Sequence, residues 1–262
     1  MRLNLGIITL LMVLLAAPVA AMAQAGQTAP GMQLAQFEDD DIWDDSGKLI
    51  TDGLDRQAVE VSDPFEGWNR FWFEVNDALY FGVFKPLAQG YEFIIPERPR
   101  GWVRNFFDNL MYPVRLVGCL LQGKFESAGM ETSKFLINST IGLAGFADLT
   151  EGRKTVRPIP TGDEDIGQAF GAWGMGPGPY LVWPVLGPSS ARDTVGKVGE
   201  YFITPTTYIH PWYWSVATKS YARINALTFE IGRYESLMDS SVDPYAAVRD
   251  AYLKLRAKKV SE

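Results

Sequence analysis

Aromatic residues surround the first predicted helix of this chain on nearly every side, and this limits the folds open to it. The segment begins at Asp63-Pro64, a good N-cap residue followed by a residue suited to the first helical position. One broad face of the helix carries Phe65, Trp68, Phe71, Trp72, Val75 and Leu79. Phe73, Tyr80 and Phe81 point toward the polar side, where a water-facing helix would not carry aromatics. The helix is therefore either buried on most sides or placed in a lipid interface.

A second apolar segment, residues 101–121, is interrupted by charges at Arg104, Asp108 and Arg115. Pro113 is expected to break or kink it. It is therefore not a simple transmembrane helix. After residue 23, no apolar run reaches about 18 residues without a charge, so no ordinary membrane span is predicted. Further helices are predicted over residues 125–149, 221–237 and 244–259, and another is expected to start near Arg192-Asp193.

The last predicted helix, residues 244–259, separates apolar from basic positions. Its apolar stripe contains Tyr245, Val248, Tyr252 and Leu255. Its basic face contains Arg249, Lys254, Arg256, Lys258 and Lys259. We expect either a solvated face or contact with anionic headgroups or an acidic partner.

Residues 1–23 have the pattern of a cleaved export signal. Arg2 gives a positive start, residues 5–17 are apolar, and Ala21-Met22-Ala23 is a small-x-small cleavage pattern. The apolar run is too short for a membrane span. We therefore expect the mature chain outside the cytoplasm, in a periplasm. Because Cys119 is far from the cleavage point, no lipoprotein anchor is expected, and Cys119 is predicted to be a buried small hydrophobe.

The negative charge of the chain is concentrated in one segment. Residues 24–66 hold 11 acidic and 2 basic residues, whereas the whole chain carries −7. Residues 24–62 also have few large apolar residues, so an acidic disordered leader is predicted there. Neither Gly47 nor Gly53 has acids at the offsets of an EF-hand calcium loop. The negative charge argues against nucleic acid as a partner.

The single histidine and single cysteine exclude several kinds of site. No intrachain disulfide and no His/Cys zinc cluster can form, and no metal or cofactor is expected. A nucleophilic serine would need His210, which precedes Pro211 in an aromatic turn with no nucleophile-elbow motif. An exported hydrolase of lipid or glycan could use acids among residues 163–165. Three adjacent acids point in different directions, however, and are more simply a capping cluster at a helix start.

Residues 167–188 are rich in glycine and proline but keep large apolar side chains. The glycines at 174, 176 and 178 are not a dinucleotide fingerprint, because Pro177 and Pro179 intervene. The segment predicts a rigid hairpin or loop with an apolar surface, or alternatively a structural turn packed on the core. The predicted hairpin residues are Gly174, Gly178, Pro184, Gly187 and Pro188.

Several tryptophans are of the kind found at membrane–water boundaries. Residues 211–214 form an aromatic cluster after a predicted break in the helices. The predicted membrane-interface residues are Trp68, Trp72, Trp102, Trp212 and Trp214.

A series of strings in this sequence resembles the MlaA (VacJ) family. It begins with Asp63-Pro64-Phe65-Glu66-Gly67-Trp68-Asn69-Arg70 and Asn76, and continues with Asn105-Phe106-Phe107-Asp108-Asn109-Leu110. Residues 121–123, 135–143, 164–168, 173–174, 178–180, 184–193 and 243–245 follow in the family's order. Each string alone is weak, but their order over residues 63–256 is specific. The resemblance therefore predicts a helical domain over residues 63–259.

The resemblance implies an all-α, ring-like bundle of amphipathic helices in the inner leaflet of the outer membrane. In this family, a central amphipathic channel accepts phospholipid mislocalised to the outer leaflet. The lipid is passed to a soluble periplasmic carrier, MlaC, and family members associate with trimeric porins. Such a channel needs an apolar wall and polar groups for the headgroup. The channel candidates are Asn69, Arg70, Asn76, Asn105, Phe106, Asn109, Tyr180 and Arg192.

One departure from the family concerns attachment to the membrane. Family members are commonly lipoproteins, and this chain lacks the cysteine at the signal end. We therefore expect the folded body itself to hold the protein at the periplasmic side of the outer membrane. A passive scaffold that binds porins without moving lipid stays an alternative.

Overall fold

The computed structural model describes residues 63–150 and 163–261. The predicted export signal and acidic leader lie outside the described residues. Within the described part, the chain is mostly helical, as expected, and contains one two-stranded hairpin.

The first stretch is a succession of helices. They are α1 (Glu66–Leu79), a π-helical turn (Tyr80–Phe84), α2 (Lys85–Ile94), α3 (Glu97–Leu110), α4 (Tyr112–Leu121) and α5 (Phe125–Thr140). The second stretch contains α6 (Ile166–Ala172), β1 (Tyr180–Trp183), β2 (Gly187–Ser190), α7 (Ala191–Tyr201), a 3₁₀ turn (Pro205–Tyr208), α8 (Trp212–Leu227), α9 (Arg233–Ser240) and α10 (Pro244–Ser261).

The proline positions divide the helices largely as predicted. Pro113 lies in the first turn of α4, where its missing N–H costs no helical hydrogen bond, and it thereby separates α4 from α3. Pro244 begins α10, and the Ala246 N–H donates to the Asp243 carboxylate at 3.2 Å, which is N-cap geometry. The predicted cap at Asp63 is wrong, since α1 begins at Glu66 and Asp63 accepts a bond from the Asn69 side chain at 2.8 Å.

Two predicted helices are shorter or divided. The helix predicted for residues 125–149 ends at Thr140, because Leu143, Ala144 and Gly145 have φ values of 55°, 61° and 93°. A right-handed helix cannot continue through positive φ. The helix predicted for residues 221–237 is two helices, α8 and α9, and Gly232 lies between them with φ of 97°.

The contacts between elements form a closed circuit. Helix α1 packs on the hairpin, the hairpin on α10, α10 on α6, α6 on α4 and α4 on α5. From there, α5 packs on α3, α3 on α8 and α8 on α2, which continues through the π-helical turn into α1. This order of contacts gives the ring-like arrangement that the resemblance implied.

Helix α10 contributes to both hydrophobic clusters of the described fold. Val248 and Leu255 pack with Tyr80 and Leu227 in one cluster. In the other cluster, Tyr245, Tyr252 and Leu253 of α10 pack with Tyr180 and Val182 of the hairpin. The final helix is therefore a core element of the ring.

The basic face predicted for α10 is wrong at two of its positions. Arg256 and Lys259 are buried and pair with acidic residues near the start of α6. A buried cation needs such partners, because removing it from water is otherwise costly.

Candidate functional site

Two asparagines of α1 bind the open edge of the β-hairpin. Asn69 donates to the Tyr180 carbonyl at 3.0 Å and accepts from the Val182 N–H at 2.8 Å. One heptad later, Asn76 donates to the Trp183 carbonyl at 2.9 Å and accepts from the Val185 N–H at 2.7 Å. The two amides thereby satisfy backbone groups of β1 and, at Val185, of the turn that follows it. We call these four bonds the asparagine clamp.

The hairpin itself contains backbone conformations that need support. Strand β1 pairs antiparallel with β2, and the Trp183–Gly187 pair ends the ladder at the turn. Gly174, Gly178 and Gly187 have φ values of 89°, 68° and 78°, which glycine adopts without strain. Val185 has φ of 65°, a genuine outlier for a β-branched residue. Such strain persists only where surrounding contacts hold it, as the asparagine clamp does here.

Three of the predicted channel residues are buried inside the fold. Asn69 is 0% exposed, and its amide nitrogen also donates to Asp63. Asn76 and Tyr180 are buried as well. The Tyr180 hydroxyl is buried without a hydrogen-bond partner, and burial holds its pKa well above the usual range. Contact of these side chains with lipid is therefore not visible in this geometry and stays a prediction.

The two predicted channel arginines are already paired. Arg70 forms a two-point bond with Asp243, at 3.1 and 2.8 Å, and its guanidinium lies 4.4 Å from the centre of the Tyr245 ring. Arg192 is buried and donates to Asp193 at 3.0 Å. Both cations thus join parts of the fold, Arg70 between α1 and α10, and Arg192 at the start of α7.

The remaining channel candidates meet at the turn after α5. Phe106 stacks on Phe146, with 4.9 Å between ring centres. Asn105 donates to the Phe146 carbonyl at 3.5 Å, and Asn109 donates to the Ser139 hydroxyl at 2.9 Å. The eight candidates therefore fall into two groups, one around the hairpin and α10 and one at this turn.

A buried ionic network joins α6, α7 and α10, and the sequence reasoning did not identify it. Arg256 donates to Asp165 at 2.5 and 3.0 Å and to Asp193 at 3.0 and 2.8 Å. The Tyr252 hydroxyl donates to Asp193 at 2.5 Å. Burial raises the pKa of Asp193, but the Arg256 charge outweighs it and leaves the pKa well below its usual range.

This network also accounts for the acids considered for a hydrolase. Asp165 caps α6 by accepting from the Gln168 N–H at 2.7 Å, which confirms the capping interpretation at that position. Its carboxylate is bound to Arg256, so it is occupied on both sides. A signal was present in the sequence, since basic residues of α10 recur at helical spacing. Their partners lie about 60 to 90 residues away along the chain, and helical spacing does not reveal contacts at such range.

Many large apolar side chains of the described residues are exposed. Of the predicted interface residues, Trp68, Trp102, Trp212 and Trp214 are exposed, whereas Trp72 is half-buried and packs edge-on against Trp68. The other exposed aromatics are Phe65, Phe71, Phe81, Phe93, Phe125, Phe146, Trp173, Phe202, Tyr208, Tyr213 and Tyr221. Where such side chains form a contiguous patch, they mark a surface that contacts a membrane or a partner.

No helix within residues 63–150 and 163–261 combines the length and apolarity needed to cross a bilayer. A small cavity lies between α1, the hairpin, α9 and α10, and it is lined by Phe73, Tyr80, Tyr180, Tyr234 and Val248 among others. Its volume of about 20 Å³ accommodates one water molecule and not a lipid chain.

Together, these features define a mostly helical, ring-like chain with a large apolar surface and a clamped hairpin. The family model described as MlaA lipoprotein matches residues 61–259. The chain therefore belongs to the MlaA family.

Relatives and a solved structure agree with this assignment. An uncharacterised Rickettsia felis protein is 30% identical over 86% of this chain and 87% of its own length. The Escherichia coli intermembrane phospholipid transport system lipoprotein MlaA is 29% identical over 77% of this chain and 79% of its own length. A structure from work on maintenance of bacterial outer membrane lipid asymmetry matches with a TM-score of 0.66 and 26% identity. That match covers 76% of this chain and 99% of the solved chain.

Proposed function

We propose that this chain transports phospholipid between the membranes of a bacterial envelope and is not an enzyme. It would remove mislocalised phospholipid from the outer leaflet of the outer membrane and pass it to a periplasmic carrier of the MlaC type. The observation that carries the proposal is the family match over residues 61–259, together with the E. coli relative that is named for phospholipid transport.

The placement that we propose is within one leaflet of the outer membrane, on the periplasmic side. Amphipathic helices that lie in an interface bury an apolar face without crossing the bilayer. The exposed tryptophans of α1, α3 and α8 are suited to the headgroup level. Association with a trimeric porin would cover part of the same apolar surface.

We propose that the folded body, rather than an acyl chain, holds the protein at the membrane. Cys119 is 0% exposed, and burial raises its pKa to about 11, so it is a poor acceptor for a lipid. The test is fractionation of the mature protein after a high-salt wash. We expect it to stay with the membrane fraction, and its release into the soluble fraction would contradict this placement.

Deletion of the gene tests the transport role. We expect more phospholipid in the outer leaflet and greater sensitivity to detergent, both restored by the wild-type chain. Normal lipid asymmetry in a clean deletion would contradict the proposal. A passive porin scaffold predicts that the purified chain neither binds phospholipid nor transfers it to the carrier.

A further inference from the structure

Arg100, on the second turn of α3, is a buried cation with too few acceptors. Its side chain belongs to a residue that is 5% exposed, and Nη2 donates to the Glu92 carboxylate at 3.2 Å. Nε and Nη1 are buried without a hydrogen-bond partner. Buried polar groups in native proteins are nearly always satisfied, and an orphaned donor often marks a missing ion, water or ligand. The Nε and Nη1 groups of Arg100 can therefore each donate to a further acceptor atom.

Arg104 brings a second positive charge to the same place. The guanidinium carbon atoms of Arg100 and Arg104 lie 5.2 and 4.8 Å from the centre of the Phe229 ring. Like charges one helical turn apart repel each other. Among the described residues, Glu92 is the carboxylate paired with Arg100. The pair therefore keeps an excess of positive charge against an aromatic ring.

Exposed apolar residues flank the arginine pair along the chain. Phe93, at the end of α2, is 92% exposed, and Ile94 and Trp102 are exposed as well. Phe93 and Ile94 directly follow Glu92, the partner of Arg100, and Trp102 lies between the two arginines on α3, so the pair belongs to the same corner of the chain as these exposed side chains. Arginines next to tryptophan at a membrane boundary are positioned to meet lipid phosphates.

We propose that Arg100 and Arg104 form a binding site for a phosphoryl group, the headgroup phosphate of a phospholipid. A guanidinium presents a planar fork of N–H donors that matches two phosphate oxygens. Arg104, the half-buried member, is the point of entry, and the free donors of Arg100 complete the site. A free phosphate ion offers the same oxygens, but the neighbouring apolar surface favours the lipid. This inference rests on the proposed function and names the part of the chain that holds the headgroup.

The test measures phosphatidylglycerol retained by the purified mature chain in detergent, by native mass spectrometry. The variants are Arg100→Gln and Arg104→Gln, and the matched control is Arg98→Gln, an exposed arginine on the first turn of the same helix. We expect about tenfold weaker retention in both site variants, which is the loss of one or two charge-assisted bonds. Retention by the control should equal wild type. Circular dichroism checks the fold, and Arg104→Gln carries the test if Arg100→Gln does not fold.

The outcomes separate this site from the transport role. Wild-type chain that retains no phospholipid contradicts the proposed function. Equal retention by wild type and both site variants overturns the arginine site and leaves the transport role standing. Binding of inorganic phosphate alone, lost in Arg104→Gln while lipid retention is unchanged, overturns the assignment to a lipid headgroup.

Discussion

Asn76 holds Val185 in a left-handed backbone conformation that valine rarely adopts. The Asn76 Oδ1 atom accepts the Val185 N–H at 2.7 Å, and Val185 has φ of 65°. The residues are 109 positions apart in sequence. The shape of the hairpin turn is thus set by a side chain of the first helix.

Replacement of Asn76 by alanine should destabilise the fold by about 2 kcal/mol, because two partly buried backbone groups lose their partners. The measurement is urea unfolding in detergent, followed by circular dichroism. Asn105→Ala is the control, since Asn105 makes one long bond of 3.5 Å. If the two variants unfolded at the same urea concentration, the asparagine clamp would not contribute to the stability of the fold.

Two glycine substitutions, one in α5 and one in the turn after it, should have opposite effects. At Gly145, φ is 93° and an added Cβ would lie 2.6 Å from the Asn109 Cβ, so Gly145→Ala should cost about 2 kcal/mol or more. Gly129 is exposed on α5, and nothing lies within 4 Å of an added Cβ, so Gly129→Ala should stabilise by about 0.5 to 1 kcal/mol. Thermal unfolding of both variants checks the pair, and a neutral Gly145→Ala would show that the turn after α5 adapts.

Glu200 should make stability fall as pH rises toward neutrality. Burial raises its pKa from 4.5 to about 7, with Asp165 adding to the shift and Lys197 and Arg256 opposing it. Between these two values the native state binds a proton that the unfolded state has lost, so stability declines with pH and levels off above about 7. Glu200→Gln should remove this slope in unfolding measured from pH 4.5 to 7.5. The control is Glu126→Gln, at an exposed position, which should keep the pH dependence of stability. An unchanged pH dependence in Glu200→Gln would show that other groups cause it.

A charge at Phe106 should reduce lipid transfer to the periplasmic carrier if the turn after α5 borders the lipid path. Phe106→Glu places a carboxylate against Phe146, where Phe106 now stacks. Transfer from labelled vesicles in the presence of the carrier is the measurement. Ser133→Glu, at an exposed position on α5, controls for added charge. Unchanged transfer in a folded Phe106→Glu variant would remove Phe106 from the path.

Proline signals in the sequence predicted two helix starts correctly, whereas the cap at Asp63 and the end of the helix after residue 125 were predicted wrongly. Pro113 and Asp243-Pro244 act within one turn, and the structure follows them. The end of α5 depends on positive φ at Leu143 and Ala144, which neither residue type favours. Asn109 donates to Ser139 at the end of α5, and Asn138 accepts from the Leu149 N–H beyond the turn, and no local pattern shows these hydrogen bonds.

The candidate site was harder to predict because its polar residues form bonds across the whole chain. Asn69 and Asn76 stand out in sequence as polar residues amid aromatics, and this suggested contact with a headgroup. In the fold, their partners are backbone groups more than 100 residues away. The same spacing therefore fits a lipid contact and a structural clamp, and three-dimensional contacts are needed to tell them apart.

The ring is joined at its two ends by a short set of contacts. Arg70 in α1 binds Asp243 at the start of α10, and the Tyr245 hydroxyl donates to Asp63. Helix α10 also covers the hairpin with Tyr245, Tyr252 and Leu253 and places Arg256 against two carboxylates. A truncation before α10 would therefore expose the apolar side of the hairpin to water and leave Asp165 and Asp193 without the Arg256 charge.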